Sequence, residues 1–148
     1  MALRIESLQA RLSKLDEIVQ FLREIGVGDL SVLGESLRDM LAAERALQVG
    51  AELIFDIGNH ILSAQFGAHA TDYQNIVNRL AQRKVISDSL CARLQGLGGF
   101  RNVLVHAYME LDQDRVLENL AKAPQDFGDF MSEIRDWLGS PGVKPLRL

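Results

Sequence analysis

Residues 99 to 112 read GFRNVLVHAYMELD and bring Arg101, Asn102, His106 and Tyr108 into one short, otherwise mainly aliphatic segment. These four side chains suit one chemistry in particular, the cleavage of RNA without a metal ion. A histidine titrates near neutral pH and can take the proton of a 2′-hydroxyl as it attacks the adjoining phosphorus. A guanidinium can donate two parallel hydrogen bonds to the negative charge that gathers on the phosphorane. An asparagine amide can orient the histidine or contact phosphate. A tyrosine can hydrogen-bond phosphate or stack on a base. Only three histidines occur, with no carboxylate pair at convincing ligand spacing around them, so neither a metal nor a cofactor is expected.

Helix geometry complicates that picture. On a regular helix Arg101 and Tyr108 lie about 20° apart, and Asn102 and His106, four residues apart, share a face. Arg101 and His106 diverge by about 140°. One helix does not aim all four at one point, although Arg101 follows Gly98 and Gly99 and so enters with an adaptable first turn. On the residues alone, a buried structural histidine with Arg101 as a capping or ion-pair residue stands beside the catalytic reading.

The elements that must position this segment are helical. Ile5, Leu8, Leu12, Leu15, Val19 and Leu22 recur at steps of three and four with charges between them, which predicts a first helix ended by Gly26 and Gly28. A second pattern starts near Asp29 or Ser31 and runs to Phe66, and Gly67 closes it. Its interior glycines, Gly34, Gly50 and Gly58, each cost about 1 kcal/mol relative to alanine. They are tolerable where a neighbouring helix packs close, or one of them marks a break. Thr71 or Asp72 caps a short helix through Ala81, and Ser87 caps another to about Leu97. After the opening segment, Asp112 caps a helix through Lys122, and Pro124 starts a last helix that ends near Leu138. The expected architecture is one all-α domain over residues 1–138, an up-and-down bundle of two long helices and several short ones, with a flexible tail over 139–148. Long apolar stripes only half satisfied within one chain point to a homodimer.

Composition narrows the function classes. The single cysteine, Cys91, excludes a disulfide framework or a cysteine zinc site within one chain, and reads as a small buried apolar residue. The start MALRIESLQARLSK is not a secretory signal, and no run of about 18 apolar residues could span a bilayer, so a cytoplasmic protein without membrane contact is expected. A net charge of −4 does not favour nucleic acid, yet a small basic cleft can sit on an acidic body. Arg79, Arg83, Lys84, Arg93 and Arg101 form the densest basic stretch, whose plainer reading is a solvated helix face. His60, four residues after Asp56, reads as half of a helix-surface pair or as a group lining a dimer cleft. Tyr73 is expected to pack against the body and Trp137 to dock the last helix.

The segment Arg101-NVLV-His106-Ala107-Tyr108 resembles the Arg-x4-His-x-Tyr motif of HepT-like toxins, in the HEPN superfamily of helical ribonucleases. Asn102 stands where HEPN proteins often place a polar residue. ERALQVGAELIFDIGNHIL, residues 44 to 62, looks like the family's long second helix, and TDYQNIVNRLAQRKVIS, residues 71 to 87, also matches its order and spacing. The resemblance covers about residues 30 to 122. It implies a HEPN helical bundle acting as a homodimer, with a composite site where the two motif helices face each other across a cleft. It also implies the toxin of a type VII-like pair, a metal-independent endoribonuclease using Arg101, His106 and Asn102. The partner would be a minimal nucleotidyltransferase (MNT) antitoxin that transfers AMP to Tyr108. The rival reading is a non-catalytic helical module that partners a nucleotidyltransferase and helps it bind nucleotide or substrate.

Overall fold

The computed structural model describes residues 3–26, 33, 35–97, 113–141, 143 and 145–146. Among these residues the chain forms five helices: α1 (Ile5–Ile25), α2 (Leu37–Phe66), α3 (Tyr73–Gln82), α4 (Asp88–Leu94) and α5 (Gln113–Leu138). Two short strands accompany them, β1 (Leu3–Arg4) and β2 (Pro145–Leu146), which pair in parallel. The sequence places a flexible tail from residue 139; within it, Pro145–Leu146 pairs with Leu3–Arg4 and Val143 packs on the core.

The apolar stripes become one core. α1 buries Leu8, Leu12, Leu15, Val19 and Leu22, the residues whose spacing predicts it, and packs on α2 and α5. α2 is continuous over 30 residues, and its two interior glycines mark close approaches, not breaks. A methyl group at Gly50 would overlap the ring of Phe127 in α5, and one at Gly58 would lie 2.6 Å from a methyl of Ile76 in α3. Glycine is required at both because a neighbouring helix occupies the space of a side chain.

Caps set the other boundaries. The Ser36 hydroxyl accepts the Asp39 N–H at 3.2 Å, so α2 begins at Leu37, later than Asp29 or Ser31. Gly67 ends it at φ 60°, which lets the N–H groups of Gly67 and Ala68 reach the carbonyls of Ser63 and Leu62. Asp72 and Ser87 cap α3 and α4 by accepting the N–H groups of Asn75 and Leu90.

Two expectations need correction. Pro124 does not start a helix but lies inside α5, so the bundle has three long helices instead of two. A proline there removes one backbone hydrogen bond and costs about 3 kcal/mol. The apolar register runs straight through it, however: Val116, Leu120, Ala123, Phe127, Phe130, Met131 and Ile134 are all buried. Burial of that stripe outweighs the local penalty. Cys91 is half-buried at the α3–α4 contact, where its thiol lies 3.5 Å from Asn78 Oδ1. Trp137 docks the end of α5 as expected, its ring 6.3 Å from that of Phe66, over which Arg83 stacks at 5.2 Å.

Candidate active site

Arg101, Asn102, His106 and Tyr108 lie outside the described residues. The described elements on either side of them in the chain are α4 before the motif and α5 after it. Arg93, in the last turn of α4, reaches across to α5 and donates to Asp126 Oδ1 and Asp129 Oδ2, both at 2.8 Å. Gln95 follows, its amide nitrogen donating to Asn78 Oδ1 and the Cys91 carbonyl, each at 3.0 Å. The end of α4 is thereby held to α3 and α5 immediately before the motif segment.

A cavity of about 220 Å³ opens where the end of α4 meets the first half of α5. Arg93, Gln95, Arg115, Asn119, Lys122 and Asp126 supply its polar lining, while Leu94, Leu97 and Phe127 supply apolar lining. Arg115, Asn119, Lys122 and Asp126 recur at steps of four, three and four, so one face of α5 presents them together. The Asn119 amide donates to the Arg115 carbonyl at 2.8 Å.

The two carboxylates on Arg93 respond in opposite directions. Asp126 is pushed up because burial outweighs the attraction of Arg93 and Lys122, its side chain being 14% exposed. Asp129, at 32%, is pulled down by a hydrogen bond from Gln125 and by Arg93. Solvent decides between them: the drier carboxylate loses more hydration than the guanidinium returns.

The basic stretch expected from the sequence does not form one patch among the described residues. Arg79 donates to Asn75 Oδ1 at 3.0 Å, Arg83 stacks on Phe66, and Lys84 lines a different cavity. Of the four that are described, Arg93 alone lines the cavity at the end of α4, joined by Arg115 and Lys122, which the sequence does not single out. Their one-face spacing was the available signal. His60 serves the fold: its Nε2 accepts the Arg4 N–H at 3.1 Å, and burial, Arg11 and Arg4 hold its pKa below the usual value. His69 is exposed, and Tyr73 is buried as expected. Among the described residues no group of three His, Cys, Asp or Glu side chains is placed to hold a metal ion, and no helix is long and apolar enough to cross a membrane.

Known proteins share both sequence and fold. The chain is 25% identical over 132 residues to the tRNA nuclease HepT of Aphanizomenon flos-aquae, covering 88% of this chain and 89% of that one. It is 33% identical over 89 residues to the mRNA nuclease HepT of Shewanella oneidensis, covering 60% of this chain and 67% of that one. The tri-AMPylated Shewanella oneidensis HEPN toxin, solved in complex with its MNT antitoxin, superposes with a TM-score of 0.78 at 25% identity. That match covers 87% of this chain and 96% of the other. The cytosolic protein of unknown function YutE from Bacillus subtilis shares the fold over 99% of both chains, with a TM-score of 0.81 at 23% identity. The profile of the family described as Ribonuclease HepT-like spans residues 11–134, which take in α2 through most of α5 and the whole motif segment, and the chain belongs to that family.

Proposed function

We propose that this chain is the toxin of a HEPN/MNT toxin–antitoxin pair, an endoribonuclease that cleaves RNA without a metal ion. The observation that carries this reading is the complete pattern Arg101-Asn102-x3-His106-x-Tyr108 inside the span matched by the HepT-like family. His106 takes the 2′-hydroxyl proton as that oxygen attacks the neighbouring phosphorus, and the 5′-oxygen leaves with a proton returned to it. Arg101 stabilises the charge on the phosphorane, and Asn102 orients the histidine or the phosphate. The 140° divergence of Arg101 and His106 on a regular helix supports a composite site, with two copies of the chain contributing to one cleft.

Tyr108 is the control point of this reading. Its hydroxyl oxygen bonds to the α-phosphorus of ATP, pyrophosphate leaves, and the phenolic proton is lost to the antitoxin. The attached AMP brings a phosphate charge and a bulky base that repel and occlude RNA. The test has two arms. Expressed without a partner, the wild type is expected to arrest growth and the purified protein to cleave RNA in EDTA, while His106→Ala does neither. Full cleavage by His106→Ala sinks the mechanism; a harmless wild type that still binds a nucleotidyltransferase favours the non-catalytic module. After incubation with the antitoxin and ATP, mass spectrometry should find AMP on the wild type and none on Tyr108→Phe. A Tyr108→Phe protein that is still modified and silenced excludes that site.

A further inference from the structure

The last turn of α4 is held to α5 by more than burial. Its apolar side chains Leu90 and Leu94 are in the core, 0% and 1% exposed, so the helix is docked without any charge. Burial of that kind is non-directional. Arg93 adds direction. Its guanidinium donates through Nη1 to Asp126 and through Nη2 to Asp129, two charge-assisted hydrogen bonds of 2.8 Å to neighbouring carboxylates on α5.

The place of this clamp in the chain gives it a second consequence. Arg93 and Asp126 are 33 residues apart, and the whole motif, residues 101 to 108, lies in the loop they close. Beyond Arg93, the Gln95 amide ties back to Asn78 and to the Cys91 carbonyl, and Leu97 is buried in the core. Arg101 follows Leu97 by four residues, which reach no more than about 14 Å when fully extended. On the far side Gln113, the first residue of α5, follows Tyr108 by five residues, a reach of about 18 Å at most. The motif is thus tethered between two helices that Arg93 joins.

We infer that Arg93 is a positioning residue for RNA cleavage: by clamping α4 to α5 it fixes the two ends of the motif segment and so places Arg101 against the phosphorane, a role that rests on the ribonuclease reading for its choice of reaction. The phosphorane's charge exists only in the transition state. A displaced Arg101 therefore costs turnover and leaves the ground-state grip on the strand intact. The contact of Ser87 with Glu133 supplies the control, because it also joins α4 to α5 but at the start of α4, farther along the chain from the motif.

The experiment compares Arg93→Ala, Arg93→Lys and Glu133→Gln in the full chain, free of antitoxin, by steady-state cleavage of a single-stranded RNA and by melting temperature. Arg93→Ala is expected to lower kcat by roughly tenfold to a hundredfold, the cost of a small misplacement, with KM within about threefold of wild type. Lysine is a point charge without the guanidinium's fork, so Arg93→Lys is expected to lie between Arg93→Ala and wild type. Glu133→Gln is expected to keep the wild-type kcat wherever it is folded. Losses of kcat that follow melting temperature alike in all three variants overturn the positioning role, as does a loss carried in KM. If Arg93→Ala unfolds at the assay temperature, Arg93→Lys carries the comparison. In an Arg101→Lys background, Arg93→Ala is expected to lose under about threefold; an undiminished loss overturns action through Arg101. Hydrogen exchange of peptides covering residues 98–112 gives a readout that needs no cleavage. It is expected to be about tenfold faster in Arg93→Ala and unchanged in Glu133→Gln. That exchange result with no cleavage by the wild type defeats the ribonuclease reading alone, whereas cleavage with exchange and kcat both unmoved by Arg93→Ala defeats the clamp alone.

Discussion

Two cavities lie at opposite ends of α4, and their charges are opposite. At its start, a cavity of about 590 Å³ is lined by Asp88, Glu133 and Asp136 with Lys84 as the single cation. At its end, the smaller cavity gathers Arg93, Arg115 and Lys122 around Asp126. The helix dipole favours this polarity at both ends, carboxylates at the N-terminus and cations at the C-terminus. The employment of those charges differs. Glu133 accepts the Ser87 N–H at 2.5 Å and the Ser87 hydroxyl at 3.1 Å, tying α5 to the cap of α4. At the other end Arg93 does the corresponding work with Asp126 and Asp129. One charged side chain thus holds α4 to α5 at each end, an acid through the Ser87 cap and a guanidinium through two carboxylates.

The largest effect on this contrast is expected from Gly50→Ala. The added methyl would press on Phe127, which is both core and the wall of the basic cavity. Overpacking costs about 1–3 kcal/mol, which exceeds the roughly 1 kcal/mol that alanine gains in a helix. Urea denaturation should show a net loss of about 1 kcal/mol, the middle of that difference. A stabilised variant would mean the ring has room to move and the two features are independent.

Glu133→Gln sharpens the comparison from the acidic side. Exchanging a charged acceptor for a neutral one at Ser87 should lower stability by about 1 kcal/mol. RNA affinity should stay at the wild-type value. A change in RNA affinity would show that the acidic cavity touches RNA.

His60, outside both cavities, gives the smallest effect, and only on lowering the pH. Its folded-state pKa is depressed, so the unfolded chain takes up the proton first as pH falls below about 6.5. The contribution of its bond to the Arg4 N–H is complete above that pH and is lost as pH falls through the depressed value. Melting temperatures from pH 8 to pH 5 should decline more for the wild type than for His60→Gln, whose amide oxygen accepts a hydrogen bond without titrating. Parallel curves would show that His60 does not carry the pH dependence.

Most of the bundle is legible in the sequence because its signals are local. The stripe from Leu8 to Leu22, the αL glycine at 67 and the caps at Asp72 and Ser87 each report a backbone state set by a few neighbouring residues. Pro124 misleads because its rule is local too, while the register from Val116 to Ile134 that overrides it depends on what α5 packs against. The cavity at the end of α4 is less visible still. Arg115, Asn119 and Lys122 share a face at ordinary helical spacing, and only the crossing of α4, fixed by Arg93, gives that face a concave neighbour. The chemistry of the motif is the reverse case. Its residue types and spacing are plain in the sequence, and the divergence of Arg101 and His106 on an ideal helix is what motivates the proposed two-copy site.

The pairing of Leu3–Arg4 with Pro145–Leu146 places the two ends of the helical body side by side. A linker of a few residues across that pair would make the backbone a ring without disturbing any helix. New ends could then be opened in the exposed turn around Gly67 to Asp72, between α2 and α3. Such a rearranged chain would allow a fluorescent label or fusion partner to be moved from one side of the bundle to the other with the core order of the helices unchanged.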